Sequence, residues 1–127
     1  MNKRVFVITF AHSWANKLRE LVGEENLVIC EEHKGVGAVE QAVRQGQGPD
    51  VIFVNVETLG RGEAIAKLRR LCPDAQIIAT GQMPIWSSIR AAFRNGANDF
   101  EYESVEPSAL AKLVAKYIKD RASVPLP

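Results

Sequence analysis

The strongest constraint on the fold is a regular alternation between short apolar runs and amphipathic stretches. Five runs follow one another along the 127 residues: Val5–Phe10, Leu27–Cys30, Val51–Val54, Gln76–Thr80 and the weaker Asp99–Tyr102. The first, third and fourth runs are continuously apolar rather than alternating. That pattern is typical of parallel strands whose two faces are both covered.

The stretches between the runs carry apolar residues at helical spacing, which predicts five helices. In the fourth of them we expect Ile85, Ile89, Ala92 and Phe93 to form the core stripe. The stripes of the first three helices are Trp14/Leu18/Leu21/Val22, Val36/Val39/Val43 and Ala64/Ile65/Leu68/Leu71, and that of the fifth is Leu110/Leu113/Val114/Tyr117/Ile118.

Strands and helices therefore alternate five times. Parallel strands need helical crossovers, so the order predicts an α/β fold. We expect a doubly wound five-stranded parallel sheet of order 2-1-3-4-5, flanked by five helices and flavodoxin-like. It spans residues 1–120. Residues 121–127 are predicted to be a Pro-containing linker or an artificial chain end, with a further domain expected beyond it.

Composition narrows the class of function. Sixteen basic and fifteen acidic residues give a net charge of +1, so direct binding of nucleic acid by this domain is not expected. No apolar run approaches the ~18 residues of a membrane span. Two cysteines, Cys30 and Cys72, form no disulfide framework and favour a reduced, cytoplasmic protein.

In doubly wound sheets, ligands bind beyond the carboxyl ends of the strands. Thr9 and Phe10 close the first run, and Asn55 follows the third. Thr80 ends the fourth run and Glu103 follows the fifth. These positions are the candidate site.

The stretch Pro49–Val56 resembles the third strand of response-regulator receiver domains, with Asn55 at the position of the phospho-acceptor aspartate. Similar segments follow in the family's order at Leu68–Asp74, Ile77–Thr80 and Asn95–Phe100. The resemblance covers roughly residues 3–120. It implies a receiver-like domain of a two-component system, that is, of phosphorelay signal transduction.

The family's functional positions are nevertheless altered. Its acidic pair, acceptor and lysine correspond here to Thr9, Phe10, Asn55 and Glu103. The strand-four hydroxyl, Thr80, and the strand-five aromatic that acts as a switch, Phe100, are kept. Magnesium prefers carboxylate oxygens and phosphorylation needs a carboxylate nucleophile, while Glu103 would repel a phosphoryl group. We therefore predict a degenerate pseudo-receiver without phospho-acceptor, metal, cofactor or enzymatic activity.

Trp86, Arg90 and Arg94 recur at i, i+4 and i+8, off the core stripe of the fourth helix. In the family, the surface of helix four, strand five and helix five, which includes Tyr102 here, is the usual docking face. Tryptophan and arginine dominate interface hot spots, so we predict a partner face here. The alternative is that Trp86 folds against the loop and that the arginines are only solvated.

The predicted function is a phosphorylation-independent protein-interaction module of bacterial signalling, acting on a partner or by self-association. Its effector would be a DNA-binding domain, a nucleotide-cyclising enzyme or a pilus-assembly localisation ATPase. Two alternatives stay open: a small ligand held by Thr80, Asn55 and Glu103 in the strand-end crevice, or a receiver with an unorthodox acceptor. His12, Glu57 and Glu103 could together bind a transition metal, and the alternative is that all three are solvated residues on loops.

Overall fold

Five short strands form one parallel sheet in the computed structural model, which describes residues 3–25, 27–57, 62–83 and 85–119. They are β1 (Val5–Ile8), β2 (Leu27–Cys30), β3 (Val51–Asn55), β4 (Gln76–Gly81) and β5 (Asp99–Tyr102). Their order is β2-β1-β3-β4-β5 and each neighbouring pair is parallel. The predicted fold class is confirmed.

A helix follows each strand. They are α1 (His12–Val22), α2 (Gly35–Arg44), α3 (Glu63–Leu71), α4 (Trp86–Arg94) and α5 (Pro107–Leu113), and α5 continues as a π-helical segment, Val114–Ile118. Pro107 opens α5 at the first turn, where a missing N–H costs nothing. Past the end of α4, Gly96 has φ +116°, and a Cβ there would come within 2.9 Å of the Arg69 side chain. Glycine is required at that position.

The sheet separates two apolar cores. On one face, α2, α3 and α4 pack over alternate strand residues such as Ile8, Ile52 and Ile77. On the other face, α1 and α5 pack over Val7 and Phe53 among others. Because strand side chains alternate between faces, the central strands are buried on both sides, as the continuous apolar runs predicted.

Three details of the sequence prediction are wrong. β1 ends at Ile8, so Phe10 leaves the sheet and is half-exposed. Leu21 is exposed at the end of α1. In α4 only Ile89 and Ala92 reach the core. Ile85 precedes the first helical turn and Phe93 lies one position, about 100°, past Ala92, so both are exposed.

Across the described ranges, no helix has the length and apolar character needed to cross a bilayer.

Candidate functional site

Four polar side chains are buried together at the carboxyl edge of the sheet. Thr9 follows β1, Asn55 ends β3, Thr80 lies in β4 and Glu103 follows β5. They are the polar or charged residues that are buried within the described part of the chain. The strand ends bring these four residues together because β1, β3, β4 and β5 are consecutive neighbours in the sheet, whereas the fifth predicted residue, Phe10, is half-exposed outside this buried group.

The carboxylate of Glu103 is the centre of this group. Its Oε1 accepts a hydrogen bond from Asn55 Nδ2 at 2.8 Å. Its Oε2 accepts one from Thr80 Oγ1 at 3.3 Å and one from Thr9 Oγ1. The backbone N–H of Glu103 donates to Gly81 O at 2.9 Å, which continues the β4–β5 ladder and sets the direction of the side chain. One carboxylate therefore ties together the ends of four strands.

Backbone donors fix the orientation of two of these partners. Asn55 Oδ1 accepts the N–H of Glu57 at 2.9 Å, so the amide nitrogen of Asn55 is directed to Glu103. Thr9 Oγ1 accepts the N–H of Ala11 at 2.9 Å, so its own proton is free to bond to Glu103. Asn55 and Thr9 thus act as donors to a fixed carboxylate.

The charge of Glu103 has no cationic partner within 4.0 Å among the described residues. Burial raises the pKa of this carboxyl above its ordinary value, and the hydrogen bonds from Thr9, Asn55 and Thr80 partly oppose that rise. Glu103 is 7% exposed, so its interpretation as a solvated loop residue is wrong.

The chemical groups at this edge of the sheet are an amide, two hydroxyls and one carboxylate. Residue 55 presents an amide nitrogen, and a donor amide is not a nucleophile for phosphorus. The described residues contain no group of three or more His, Cys, Asp or Glu side chains placed to hold a metal ion. His12 and Glu57 are exposed while Glu103 is buried, so these three do not form the metal cluster weighed from the sequence.

A cleft of about 350 Å³ opens beside the buried group. Glu103 and Asn55 line it, together with the exposed side chain of Glu57. Gln82 also lines the cleft, and apolar side chains form most of the remaining wall. They include Phe10, Val56, Met83 and Ile85. The sequence did not predict Met83 and Ile85 here, because Ile85 was assigned to the core.

The predicted partner face is exposed. Trp86 is 66% exposed, and Arg90 and Arg94 are exposed on the same helix. Tyr102 is half-exposed on β5 and its ring packs edge-on against Phe100, with centroids 5.4 Å apart. The alternative, in which Trp86 folds against the loop, is therefore wrong. We call Trp86, Arg90, Phe93, Arg94 and Tyr102 the α4–β5 face.

A second polar cluster, which the sequence analysis missed, lies on the opposite face of β5. Asp99 and Glu101 alternate with Phe100 and Tyr102, and both acidic side chains reach Tyr117 of the π-helical segment. The Tyr117 hydroxyl lies 2.6 Å from an oxygen of each. The alternation of charged and aromatic residues in β5 was the available signal for this two-sided strand.

The sheet order, the five helices and the solved structures with the same architecture define a receiver fold of the flavodoxin-like type. No protein-family model matches the chain, and neither does any curated protein.

Three solved structures illustrate the likeness. A CheY-like protein, TadZ, from Pseudomonas aeruginosa is 20% identical, with a TM-score of 0.72 over 98% of this chain and 100% of that one. The response regulator domain of Thermotoga maritima CheB is 21% identical, with a TM-score of 0.65 over 91% and 93%. A protein described as a pilus assembly protein, CpaE, from Burkholderia thailandensis is 23% identical, with a TM-score of 0.60 over 90% and 96%.

Proposed function

We propose that this chain is a receiver-like protein-interaction module of bacterial signal transduction that acts without phosphorylation. One observation carries the proposal: the buried Glu103 carboxylate, bonded by Thr9, Asn55 and Thr80, where receivers have a lysine and an acidic site. A phosphoryl group brought to residue 55 would meet a negative charge instead of a cation. The module is non-enzymatic in this proposal.

Incubation with acetyl phosphate and Mg²⁺, followed by intact mass measurement, tests this. We expect no gain of a phosphoryl group by the wild type, and none by Asn55→Asp, since Thr9, Phe10 and Glu103 remain unchanged. An ordinary receiver labelled in parallel shows that the assay works. A phosphorylated wild-type chain would overturn the proposal and support the alternative of a receiver with an unorthodox acceptor. Labelling of Asn55→Asp alone would refute the claim that these three residues block the reaction.

The α4–β5 face is the proposed contact with a partner or with a second copy. It offers three exposed aromatic side chains and two arginines, and tryptophan, tyrosine and arginine are the residue types that dominate binding hot spots. Sedimentation velocity of the wild type, Trp86→Ser and Arg90→Glu measures self-association. Concentration-dependent association lost in both variants supports a copy as the partner, and a monomer at all concentrations assigns the face to another protein. An exposed residue outside the face, Lys17, provides a matched control as Lys17→Glu.

The setting we propose is the cytoplasm, with an effector domain after residue 127. The two described cysteines, Cys30 and Cys72, are buried and free, which fits a reducing compartment. Among the effectors considered, the pilus-assembly class receives additional support because TadZ and CpaE are among the structural neighbours. The reading frame beyond Pro127 tests this assignment directly.

A second candidate function is the sensing of a small ligand at the strand ends. The cleft of about 350 Å³ favours it, since small-molecule sites commonly have volumes from roughly 300 Å³ upward. A shift of the melting temperature in the presence of nucleotides would support an anionic ligand, and no shift would exclude that class.

A further inference from the structure

The cleft beside Glu103 combines a buried carboxylate with walls that are apolar except for Gln82 and Glu57. Phe10, Met83 and Ile85 line it and are 48%, 71% and 42% exposed. Glu103, by contrast, is almost completely removed from solvent. A cleft built this way selects a ligand by charge at its base and by apolar contact along its sides.

The Glu103 carboxylate has acceptor capacity left. Two ionised oxygens provide about four acceptor positions. Three of these are used, by the side chains of Thr9, Asn55 and Thr80. Oε1 accepts from Asn55 alone among the described groups. All three donors are neutral, so a cation entering the cleft would form the first ion pair with this carboxylate.

Glu57 adds a second negative group to the cleft. Its backbone N–H is held by Asn55 Oδ1, while its exposed side chain lies among the lining residues. Two carboxylates of the same lining repel phosphate, nucleotides and other anions. A neutral ligand would cover Glu103 without compensating its charge, which is costly in an apolar setting.

The walls suit an alkyl stem. Phe10 offers an aromatic face on which an alkylammonium or guanidinium group can rest, and Met83 is a flexible side chain that adapts to irregular ligands. We propose that the cleft binds an organic cation, a guanidinium or primary ammonium group on a short apolar stem, with Glu103 as its anion and Glu57 as the second carboxylate. The proposal rests on the absence of phosphorylation proposed above.

The cleft adjoins the α4–β5 face, because Ile85 in its wall directly precedes Trp86 at the start of α4. Trp86 is exposed and Trp14 is buried, so emission from Trp86 reports events at this boundary. Occupation of the cleft is therefore observable without any knowledge of the partner.

The test is a titration with agmatine, followed by Trp86 emission and by amide chemical shifts, at neutral pH. Saturable binding with a dissociation constant of about 1 mM is expected for so small a ligand. Glu103→Gln should weaken it about 10-fold, since an ion pair is replaced by a bond between the cation and a neutral amide. Glu57→Gln should weaken it less. Glu20→Gln, an exposed carboxylate on α1, should leave it unchanged. Melting curves verify that each variant is folded.

The source of the cation is resolved by a second pair of probes, the blocked tripeptides Gly-Arg-Gly and Gly-Gln-Gly. Tighter binding of the arginine peptide than of agmatine assigns the cleft to a partner's side chain, and the reverse assigns it to a free small molecule. Binding of agmatine that is equal in wild type and Glu103→Gln, or no saturation at about ten times the expected constant, overturns the inference. Either result leaves the phosphorylation assay unaffected, so the two proposals fail separately.

Discussion

At the scale of single residues, Glu103 is the side chain on which the polar interior depends. Replacing it by methionine, which has a similar volume, removes the acceptor of the Thr9, Asn55 and Thr80 donors. Buried donors left without partners cost about 1–3 kcal/mol each, offset in part by relaxation. We expect Glu103→Met to lower the free energy of unfolding by about 3 kcal/mol, measured by urea denaturation.

The matched variant is Glu103→Gln. Its amide oxygen can accept from Asn55, and its NH₂ can donate to the two threonine hydroxyls after they rotate. Stability at neutral pH should remain within about 1 kcal/mol of the wild type. An equal loss in the Gln and Met variants would contradict the view that hydrogen-bond acceptors, rather than charge, are what these donors need.

The pH dependence of stability provides an independent prediction. Burial raises the pKa of Glu103 above 4.5 in the folded chain, so the folded state holds this proton more tightly than the unfolded state does. The stabilisation that comes from protonated Glu103 is therefore fully present below the pKa of the unfolded state, and it is lost as pH rises through the pKa of the folded state.

Urea denaturation from pH 4.5 to pH 8 should show this loss in the wild type, by about 1.4 kcal/mol for each unit of pKa shift. Glu103→Gln should lack it. The pKa of Asp99 is lowered instead: although burial raises it, hydrogen bonds from Tyr117 and Lys116 outweigh that effect. The pKa of Asp99 therefore moves in the direction opposite to that of Glu103. Parallel curves for wild type and Glu103→Gln would refute the assignment.

A further residue-scale prediction concerns Asn55→Asp, which introduces the acceptor residue of the receiver domains that the sequence resembles. The new carboxylate would lie where Asn55 Nδ2 is now, 2.8 Å from Glu103 Oε1. Two carboxylates at that distance cannot both be ionised at low cost. We expect a loss of about 2–3 kcal/mol at pH 7 that shrinks as pH falls. In the Glu103→Gln background the same change should cost less, and an equal cost in both backgrounds would contradict the explanation.

The positions of these residues were predictable, whereas their interaction was not. Thr9, Asn55, Thr80 and Glu103 each follow or end an apolar run, so the strand order alone places them at one edge. The orientation of the Glu103 side chain depends on its backbone hydrogen bond to Gly81 and on the side chains that donate hydrogen bonds to its carboxylate. A charged residue such as Glu103 is usually exposed to solvent, so the sequence favoured a solvated position. The three side-chain donors that surround its carboxylate come from distant parts of the chain and are brought together only by the fold.

At the scale of elements, Arg69 of α3 holds two loops in place. Its guanidinium donates to the carbonyls of Cys72, Pro73 and Ala75 before β4, and to Gly96 and the Asn98 side chain before β5. Asn98 Oδ1 also accepts the N–H of Ile77 in β4. One side chain of α3 therefore holds the two loops that lead into β4 and β5.

We expect Arg69→Met to lower the free energy of unfolding by about 2–3 kcal/mol, since bonds from charged donors to partly buried carbonyls are lost together. Arg69→Lys should recover only part of it, because a point charge cannot replace the fork of the guanidinium. The neighbouring exposed Arg70 provides the control. Arg70→Met should change stability by less than about 0.5 kcal/mol, and equal effects of the two methionine variants would contradict this role.

The π-helical end of α5 places Tyr117 against the acidic side of β5. Its ring is buried against Phe53 and its hydroxyl lies 2.6 Å from both Asp99 and Glu101. Lys116 Nζ, 3.1 Å from Asp99, neutralises part of this charge. Burial, followed by these two carboxylates, raises the pKa of Tyr117, so the phenol stays protonated and donates.

Tyr117→Phe keeps the ring and removes the hydroxyl, so we expect a loss of about 1–2 kcal/mol in urea denaturation. Tyr102→Phe, on the exposed side of β5, should be nearly neutral. If Tyr117→Phe left the free energy of unfolding unchanged, the hydrogen bonds of the hydroxyl to Asp99 and Glu101 would make no net contribution to stability. The sequence predicted the apolar stripe of α5 correctly, but a π turn has no comparable signature in residue spacing.

At the scale of the whole molecule, the alternation of apolar runs with amphipathic stretches was sufficient to predict the topology of the sheet. Strands that are continuously apolar must have helices on both faces of the sheet. Because helical crossovers between parallel strands are right-handed, few strand orders then remain. The same reasoning failed for α4, where Ile85 and Phe93 fit a helical stripe but lie at the start of the helix and on its flank. Periodicity identifies a helix without telling how much of its apolar side the sheet covers.

The last prediction concerns the response of the entire fold to Mg²⁺ and beryllofluoride, the ligands expected for an ordinary receiver domain. A ligand that binds only the folded state raises its stability in proportion to the logarithm of its concentration over its dissociation constant. With Thr9 and Phe10 at the metal-binding positions and Glu103 at that of the lysine, we expect Mg²⁺ with beryllofluoride to change the melting temperature by less than about 1 °C. A receiver with the full acidic set should shift by several degrees in the same experiment. Restoring the set by Thr9→Asp, Phe10→Asp, Asn55→Asp and Glu103→Lys should recover a shift if that variant folds. A wild-type shift as large as the control receiver's would mean that this end of the sheet holds magnesium, and the phosphorylation-independent function would then be wrong.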